Sequence, residues 1–371
     1  MKKLFLIVLS FIICHLSFSV AQASTTVPVK GQWVKPSDPR IQCVGRMVTT
    51  NPDSYRFSYP GTTFRAVFEG TQIKMKAKPG SGYFMVTIDQ AEPFKVAFRG
   101  ERDSVVTLAT ALPMAQHTVE VMYCIEGYDY KPEFRGFILG SEGNLKNFSN
   151  LDNSRKIEFI GNSITCGYGN ESTNPADHFE FETENHYYSY AQLTTRALQA
   201  TTFIVARSGI GAYRNYGGPK EGTPDYDMPS QYDYTLYNDH SERWDFKRFQ
   251  PDVVCINLGT NDLSTPNYDL TLLRKGYEKL LGQVRKGNPK AKIVLLAGSM
   301  LQGKELELCK QTLDAVAEQL HKNGDKEVYR FNFTPQAGDL KFGADWHPSI
   351  WQHEKMAAEL TAYLRSLMQW F

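Results

Sequence analysis

Three polar loops carry the residues of this sequence that could perform chemistry. In the first, Gly161 to Gly169, small residues flank Ser163 directly after a short apolar run. A serine hydroxyl becomes a nucleophile when a neighbouring base removes its proton, and a helix beginning just beyond would direct its N–H groups at a bound ligand. The same pattern is typical of a serine that caps a helix in a glycine-rich turn, so Ser163 alone leaves both interpretations open.

The second and third loops offer an amide and a base. Asn261 stands in a Gly-Thr-Asn-Asp run after an apolar segment, where its side chain could donate to a developing oxyanion or simply form a local turn. His347 precedes the last helical pattern and is the candidate general base, with Asp345 two residues away, although a structural histidine at a helix start is the alternative. Together, nucleophile, amide and base form the set required for acyl transfer.

Alternating strands and helices must hold these loops in place. Short apolar runs, typical of parallel strands buried on both faces, are separated by windows with the spacing of amphipathic helices. The runs cover residues 156–160, 202–205, 252–258, 292–296 and 327–331. This alternation predicts a three-layer, flavodoxin-like α/β domain over residues 150–371, with ligands at the carboxyl ends of the strands.

The preceding part of the chain has a different periodicity. In residues 71–78 the apolar Ile73, Met75 and Ala77 alternate with polar residues, and similar short runs follow one another between turn signals. Many short alternating strands without helical windows predict an antiparallel β-sandwich of jelly-roll type over residues 24–145.

The first 23 residues have the features of a cleavable signal peptide. Two lysines precede an apolar run from Leu4 to Cys14, and Ala23 ends a small-x-small pattern. We therefore expect a periplasmic or secreted protein without a further membrane segment. Five cysteines follow residue 23, and Cys43 with Cys124 is the one plausible disulfide, which a domain of this size does not require.

Composition excludes some classes of protein. The 371 residues contain 41 Lys+Arg and 40 Asp+Glu, so no excess of positive charge is available to bind nucleic acid. We expect neither a metal nor a cofactor, since no histidine pair has convincing ligand spacing. The acidic run from Glu171 to Glu184 predicts a solvated loop. Aromatic residues are abundant, at 13%, which suits a core but also suits sugar ligands.

The sequence resembles the SGNH or GDSL-type hydrolases, and the sandwich half resembles the second carbohydrate esterase family, whose members are acetyl esterases acting on plant polysaccharides. The resemblance rests on residues 157–169, on 208–216, on the Gly-Thr-Asn-Asp run and on 345–348. It implies that Ser163 is the nucleophile and His347 its base. It also implies an oxyanion hole formed by the backbone N–H groups of Ser163 and Gly211 and the side chain of Asn261.

Two positions depart from the pattern of the superfamily. Asn162 stands where most relatives have Asp, and only Trp346 separates Asp345 from His347, where two residues are usual. In the esterase family the acid is not always used, and a backbone carbonyl can orient the histidine instead. The role of Asp345 is therefore left open between these two arrangements.

Substrate contacts are expected from a long segment rich in aromatic residues, 213–248, together with Trp346. Tyr213, Arg214, Tyr216 and Trp346 are the predicted substrate-binding residues, and packing against the sandwich is the alternative for each tyrosine. The predicted function is removal of O-acetyl groups from xylan, glucomannan or derived oligosaccharides by a monomeric enzyme. A lipase or thioesterase on the same fold, or a non-catalytic carbohydrate-binding protein, are the alternatives.

Overall fold

The computed structural model of this protein describes residues 31–147 and 154–371. The predicted signal peptide, residues 1–23, lies outside the described residues. Within them, no helix is both long enough and apolar enough to cross a membrane.

The first part of the chain folds into two antiparallel sheets. The strands are β1 Gln32–Val34, β2 Gln42–Val44, β3 Met47–Asn51, β4 Ser54–Phe57, β5 Thr63–Gly70, β6 Ile73–Ala77, β7 Gly82–Ile88, β8 Phe94–Phe98, β9 Val105–Ala109, β10 Ala115–Tyr123, β11 Glu133–Leu139 and β12 Asn144–Lys146. One sheet has the strand order β3-β4-β11-β6-β9 with β1 paired to β11, and the other has the order β12-β5-β10-β7-β8 with β2 paired to β5.

The sandwich core follows from the alternation of apolar residues. Ile73, Met75 and Ala77 of β6 are fully buried, while the lysines between them are partly exposed. Rings from both sheets meet in this core, as in the stacked pair Phe64 and Phe134, whose centroids lie 3.8 Å apart. The predicted sandwich is confirmed, although strands β1 to β4, β11 and β12 were not predicted because several of them are too short for a clear alternation.

A five-stranded parallel sheet follows, in the order β14-β13-β17-β18-β19. This order corresponds to 2-1-3-4-5, the flavodoxin-like arrangement, and it confirms the predicted α/β fold. The parallel strands are β13 Lys156–Gly161, β14 Thr201–Ala206, β17 Val253–Asn257, β18 Lys292–Ala297 and β19 Val328–Asn332. A separate antiparallel hairpin is formed by β15 Tyr234–Leu236 and β16 Asp239–Arg243 within the aromatic-rich segment 213–248.

Helices cover both faces of the parallel sheet. Ile157 and Phe159 of β13 belong to the apolar cluster on the side of α2 and α7, whereas Ile160 belongs to the cluster on the side of α5 and α6. The alternation of strand residues between two helical layers makes the three-layer domain. The helices are α1 Ser163–Cys166, α2 Tyr190–Ala197, α3 Met228–Gln231, α4 Thr260–Leu263, α5 Leu270–Gly287, α6 Gly303–Lys322 and α7 Ile350–Met368.

A buried ion pair joins the two halves of the chain. Arg46, between β2 and β3 of the sandwich, donates from Nη2 to Oε1 of Glu158 in β13 at 3.0 Å, and neither side chain is exposed. Nη1 of the same guanidinium donates to the carbonyls of Tyr232 and Tyr234. Breaking such a pair leaves an unpaired buried charge, so the sandwich and the α/β domain are coupled through their interiors.

The expected disulfide is not formed. Cys43 in β2 and Cys124 just after β10 are both free thiols. Burial raises the pKa of the Cys43 thiol to about 12, so it stays protonated and behaves as a small apolar side chain.

Candidate active site

The nucleophile turn connects β13 to α1. Asn162 is the N-cap of α1, because its Oδ1 accepts a hydrogen bond from the N–H of Ile164 at 3.1 Å. Ser163 is thus the first helical residue and not the cap, which leaves its hydroxyl available. Oγ of Ser163 lies 2.9 Å from Nε2 of His347, in hydrogen-bonding contact. Asn162, the residue that departs from the pattern of the superfamily, therefore caps the helix, a role that the sequence had left open for Ser163.

The imidazole of His347 is oriented by two backbone carbonyls. Its Nδ1 lies 3.2 Å from the carbonyl oxygens of Ala344 and of Asp345. Since carbonyl oxygens only accept, Nδ1 carries the hydrogen and Nε2 is free to accept a proton from Ser163. Burial lowers the pKa of His347 to about 4, and the two carbonyls oppose this shift only in part. The ring is therefore neutral at neutral pH, as a general base must be.

The carboxylate of Asp345 does not contact His347. It accepts hydrogen bonds from the hydroxyl of Tyr168 at 2.7 Å and from Nδ1 of His178 at 3.2 Å. Burial alone would raise the pKa of Asp345, but these two hydrogen bonds outweigh it and hold the pKa below its ordinary value. Of the two arrangements that the sequence left open, the acid–histidine contact is thus replaced by the one in which main-chain carbonyls orient the ring.

Backbone conformation explains this replacement. Asp345 has φ 47° and Trp346 has φ 56°, two consecutive left-handed residues that carry side chains. Such strain is concentrated at functional sites, where the surrounding structure holds it in place. Here the amide of Asp345 donates to the carbonyl of Asp177 at 2.9 Å, and Nε2 of Gln336 donates to the carbonyl of Trp346 at 2.8 Å. These contacts fix the turn before His347.

Tyr168 supports the histidine and was not identified from the sequence. Its ring lies against the imidazole of His347, with centroids 4.0 Å apart and planes inclined by 24°, and Phe179 stacks on Tyr168 in turn. The available signal was the Gly-Tyr-Gly sequence at the end of the serine loop. The second of these glycines, Gly169, has φ 53°, and a Cβ there would lie 2.5 Å from the Cβ of Ala344. Glycine thus permits the close approach of the serine and histidine loops.

The three predicted oxyanion donors lie on neighbouring loops, but two of them have protein partners. Nδ2 of Asn261 donates to the carbonyl of Ile210 at 2.8 Å, which leaves its second N–H for a ligand. The N–H of Gly211 donates to Oδ1 of Asn215 at 3.1 Å. The N–H of Ser163 is at the first position of α1, where a helix supplies no acceptor. Asn261 lies inside α4, whose cap is Gly259, so it is not a capping residue.

Asp262, the neighbour of Asn261, shapes the loop that carries Gly211. Its carboxylate is fully buried and accepts three backbone hydrogen bonds, at 2.9 to 3.1 Å, from Ala212, Tyr213 and Arg214. Burial raises the pKa of Asp262, while these N–H donors act in the opposite direction. A Cβ on Gly211 would lie 2.7 Å from Oδ1 of Asp262, so glycine is required for this close packing.

Tyr213 and Arg214 are buried, contrary to the expectation that they contact the substrate. The hydroxyl of Tyr213 accepts from the N–H of Asp269, and the guanidinium of Arg214 donates to backbone carbonyls, among them that of Asp262 at 2.6 Å. Both residues hold the loop together. By contrast, Tyr216 and Trp346 are 64% and 56% exposed, which is unusual for rings of this size and leaves their faces open to a ligand.

Two other aromatic residues of segment 213–248, Tyr232 and Trp244, are structural, whereas Tyr226 is exposed. Tyr232 and Trp244 are buried, and the guanidinium of Arg46 lies over their rings at 4.8 and 5.3 Å. The acidic run from Glu171 to Glu184 was expected to be solvated, but both of its ends are not. Glu171 pairs with Lys95 of the sandwich, and Glu184 is completely buried.

The fold and these side chains define a class of protein. A serine whose hydroxyl contacts a neutral histidine, beside an amide side chain at the carboxyl edge of a parallel sheet, is the arrangement of an α/β serine hydrolase. Comparison with known proteins agrees with this class. Residues 159–366 match the GDSL-like lipase/acylhydrolase family, and residues 43–147 match the N-terminal domain of carbohydrate esterase 2. The chain therefore belongs to the second family of carbohydrate esterases, and the resemblance noted in the sequence is confirmed.

Several relatives are similar over most of this chain. The chain is 36% identical over 334 residues to the cellulase/esterase CelE of Acetivibrio thermocellus, matching 90% of this chain but only 40% of that protein. It is 30% identical to an acetylxylan esterase/glucomannan deacetylase of Cellvibrio japonicus, covering 85% of this chain and 86% of the relative. A family two esterase from Clostridium thermocellum, solved with cellohexaose, superposes with a TM-score of 0.82 at 37% identity, over 89% of this chain and 100% of that one.

Proposed function

We propose that this protein is a serine esterase that removes O-acetyl groups from plant cell-wall polysaccharide, such as xylan or glucomannan, or from oligosaccharides derived from it. The observation that carries the proposal is the 2.9 Å contact between Oγ of Ser163 and Nε2 of a neutral His347. The relatives named acetylxylan esterase/glucomannan deacetylase support acetyl groups on these polysaccharides as the target.

The proposed reaction has two acyl-transfer steps. Nε2 of His347 takes the proton of Ser163 while Oγ attacks the acetyl carbonyl carbon, and the tetrahedral intermediate expels the sugar oxygen, which receives that proton. The acetyl group is then bound to Ser163. Water loses a proton to His347 and attacks the acyl-enzyme, and release of acetate returns the proton to Oγ.

Negative charge on the carbonyl oxygen is stabilised by N–H donors. We assign this role to the backbone N–H of Ser163, the free N–H of Asn261 and the N–H of Gly211. For Gly211, the oxyanion must replace or share the acceptor Oδ1 of Asn215. A single donor of this kind contributes on the order of a hundredfold to the rate.

The sugar is held by aromatic faces. Tyr216 and Trp346 are exposed rings on the two loops that flank the serine, and flat aromatic surfaces suit the apolar faces of pyranose rings. The structure of a relative in complex with cellohexaose is consistent with a β-linked glucan-like chain as ligand. No charge steering is required for such a neutral ligand, and the chain has a formal net charge of +1.

The protein is further proposed to act outside the cytoplasm as a monomer. The lysines, apolar run and Ala23 at the start of the sequence support export with cleavage after residue 23. N-terminal sequencing of the exported protein and light scattering of the purified chain test these two statements.

Acetate release tests the enzymatic proposal. The purified protein should release acetate from acetylated xylan or glucomannan and from 4-nitrophenyl acetate, and Ser163→Ala and His347→Ala should each lower kcat about a thousandfold or more. Ser241→Ala, an exposed serine of β16, is the matched control and should retain the wild-type rate. Wild-type activity in Ser163→Ala would refute the nucleophile. Glycan binding without any acetate release would indicate a carbohydrate-binding protein instead.

A further inference from the structure

A buried pair of carboxyl groups lies at the contact between the sandwich and the α/β domain. Glu126 follows β10, and Glu184 precedes the short 3-10 helix His186–Tyr188. The side chains of Glu126 and Glu184 are 1% and 0% exposed. One carboxylate oxygen of each glutamate and Sγ of Cys166 in α1 all lie within 4.8 Å of one another. Two carboxylates buried this closely cannot both be ionised without a large cost.

The hydrogen bonds of the pair show where a proton is required. Oε1 of Glu126 accepts from the N–H of Ser208 at 2.5 Å, and Oε2 of Glu184 accepts from the N–H of Glu126 at 3.0 Å. The remaining oxygens, Oε2 of Glu126 and Oε1 of Glu184, are buried and receive no donor if both groups are ionised. The two side chains are close enough to hydrogen-bond to each other, and one proton held between them supplies the donor that the pair otherwise lacks, as in other close carboxyl pairs.

The pair is attached to the two catalytic loops. Ser208 begins the loop that carries Gly211, so Glu126 holds that loop from the sandwich side. On the other side, Asn185 follows Glu184 directly, and its N–H donates at 3.2 Å to the carbonyl of Gly167, the C-cap residue of the helix that bears Ser163. Both loops are therefore attached at the buried pair, the Gly211 loop through the carboxylate of Glu126 and the Ser163 turn through the backbone next to Glu184.

We propose that Glu126 and Glu184 share one proton and act as positioning residues, through which the sandwich domain sets the distance between the Gly211 loop and the Ser163 turn. This inference rests on the proposed esterase function, because the distance matters only if Gly211 and Ser163 stabilise one oxyanion. It assigns the sandwich a part in catalysis in addition to any contact with glycan.

Burial supports the shared proton. It raises the pKa of Glu126, and it raises that of Glu184 well above the ordinary 4.5, with the charge of Glu126 adding to the effect. Burial raises the pKa values of the neighbouring thiols and phenols, so these groups stay protonated while the carboxyl pair titrates. The surrounding groups are Arg207, Lys95, Cys124, Cys166, Tyr123, Tyr128, Tyr130, Tyr168 and Tyr237.

The sign of the pH dependence follows from this raised pKa. Between 4.5 and the raised value, the folded protein holds a proton that the unfolded chain has lost, so the stability contributed by Glu184 falls as pH rises through this window. Glu184→Gln keeps an acceptor for the N–H of Glu126 and supplies a donor to its carboxylate, but it does not titrate. The Tm of the wild type minus that of Glu184→Gln should therefore decrease by about 3 °C or more from pH 5 to pH 8.

Kinetics test the positioning role. Glu126→Ala leaves the N–H of Ser208 without its acceptor, and we expect kcat for 4-nitrophenyl acetate to fall about tenfold or more with KM changed less than threefold, since a misplaced donor acts in the transition state. Glu126→Gln retains the acceptor and should keep kcat within about twofold. Glu142→Gln, an exposed residue of the sandwich, is the matched control for the isosteric change.

Defined results overturn the inference. A folded Glu126→Ala with wild-type kcat would refute positioning, and so would a Glu126→Gln that loses as much kcat as Glu126→Ala. A Tm difference that stays constant with pH would refute the shared proton, as would a stoichiometric metal ion whose removal by a chelator lowers the Tm. If Glu126→Ala does not fold, the Gln variants still decide the matter. The Tm measurements need no glycan substrate, so a failure of the proposed esterase function is recognised separately.

Discussion

The ring of Tyr168 lies 4.0 Å from the imidazole of His347, centroid to centroid, and its hydroxyl donates to the carboxylate of Asp345 at 2.7 Å. One side chain thus covers a face of the His347 imidazole and also anchors the residue whose carbonyl orients that ring. The histidine is held by a ring and by the main chain, and not by an acidic side chain.

Replacing Tyr168 separates these two roles. Tyr168→Phe keeps the ring and should retain kcat for a small acetyl ester to within about fivefold, the equivalent of 1 kcal/mol. Tyr168→Ala removes the support of the imidazole and should lower kcat by tenfold or more. Steady-state kinetics of both variants provide the measurement. An alanine variant as active as the phenylalanine variant would show that stacking on His347 has no role in positioning.

The location of the candidate catalytic loops followed from elementary topology. Parallel strands present their carboxyl ends at one edge of the sheet, so loops after β13 and β17 had to be neighbours once those strands were recognised. The direction of the Asp345 carboxylate could not be read in the same way. It depends on left-handed φ values at Asp345 and Trp346, a conformation that even Asp adopts only occasionally and that nothing about Trp indicates.

The burial of particular polar residues could not be predicted from the sequence either. Arginine and glutamate are usually found at the surface. Arg214 and Glu184 are nevertheless buried, because backbone groups distant in sequence supply their hydrogen-bond partners. Asp262 is the same case, since its three N–H donors lie about 50 residues earlier in the chain. Such long-range hydrogen bonding arises only when the chain is folded, whereas alternation of apolar residues is visible locally.

The pH dependence of activity should reflect the lowered pKa of His347. Because the base must be neutral, the acid limb of kcat/KM is expected near pH 4 instead of near 6.5, so activity persists in mildly acidic solution. Initial rates with an uncharged acetyl ester between pH 3.5 and 8 provide the measurement. An acid limb at pH 6.5 would contradict the desolvated imidazole.

Unfolding must be followed in the same experiment. His186 and His353 are buried, and burial lowers their pKa values to about 4 and about 3. A histidine with a lowered pKa takes up a proton more readily when unfolded, so its contribution to stability is lost as pH falls from 6.5 toward these values. Circular dichroism at each pH separates loss of fold from protonation of His347.

The ion pair between Arg46 and Glu158 should be essential for stability. Arg46→Ala leaves the carboxylate of Glu158 buried without its cation, and the free energy of unfolding should fall by about 3 to 5 kcal/mol. The double variant Arg46→Met with Glu158→Gln removes both charges and should cost less than the single substitution. Urea denaturation of the three proteins measures these differences. A loss below 1 kcal/mol in Arg46→Ala would show that the two domains do not depend on this pair.

The ring of Trp346 should contact the sugar chain of a polymeric substrate and not the acetyl group itself. Its ring is 56% exposed beside His347, whereas its backbone already forms the turn that orients the base, so removal of the ring affects glycan contact first. We expect Trp346→Ala to raise KM for acetylated oligosaccharide about fivefold, which corresponds to 1 kcal/mol of stacking, and to leave kcat/KM for 4-nitrophenyl acetate within twofold. Trp33→Ala, a 39% exposed tryptophan of the sandwich, is the matched control. An equal loss on both substrates would instead mean that the ring maintains the His347 turn, and the sugar-stacking role would then be wrong.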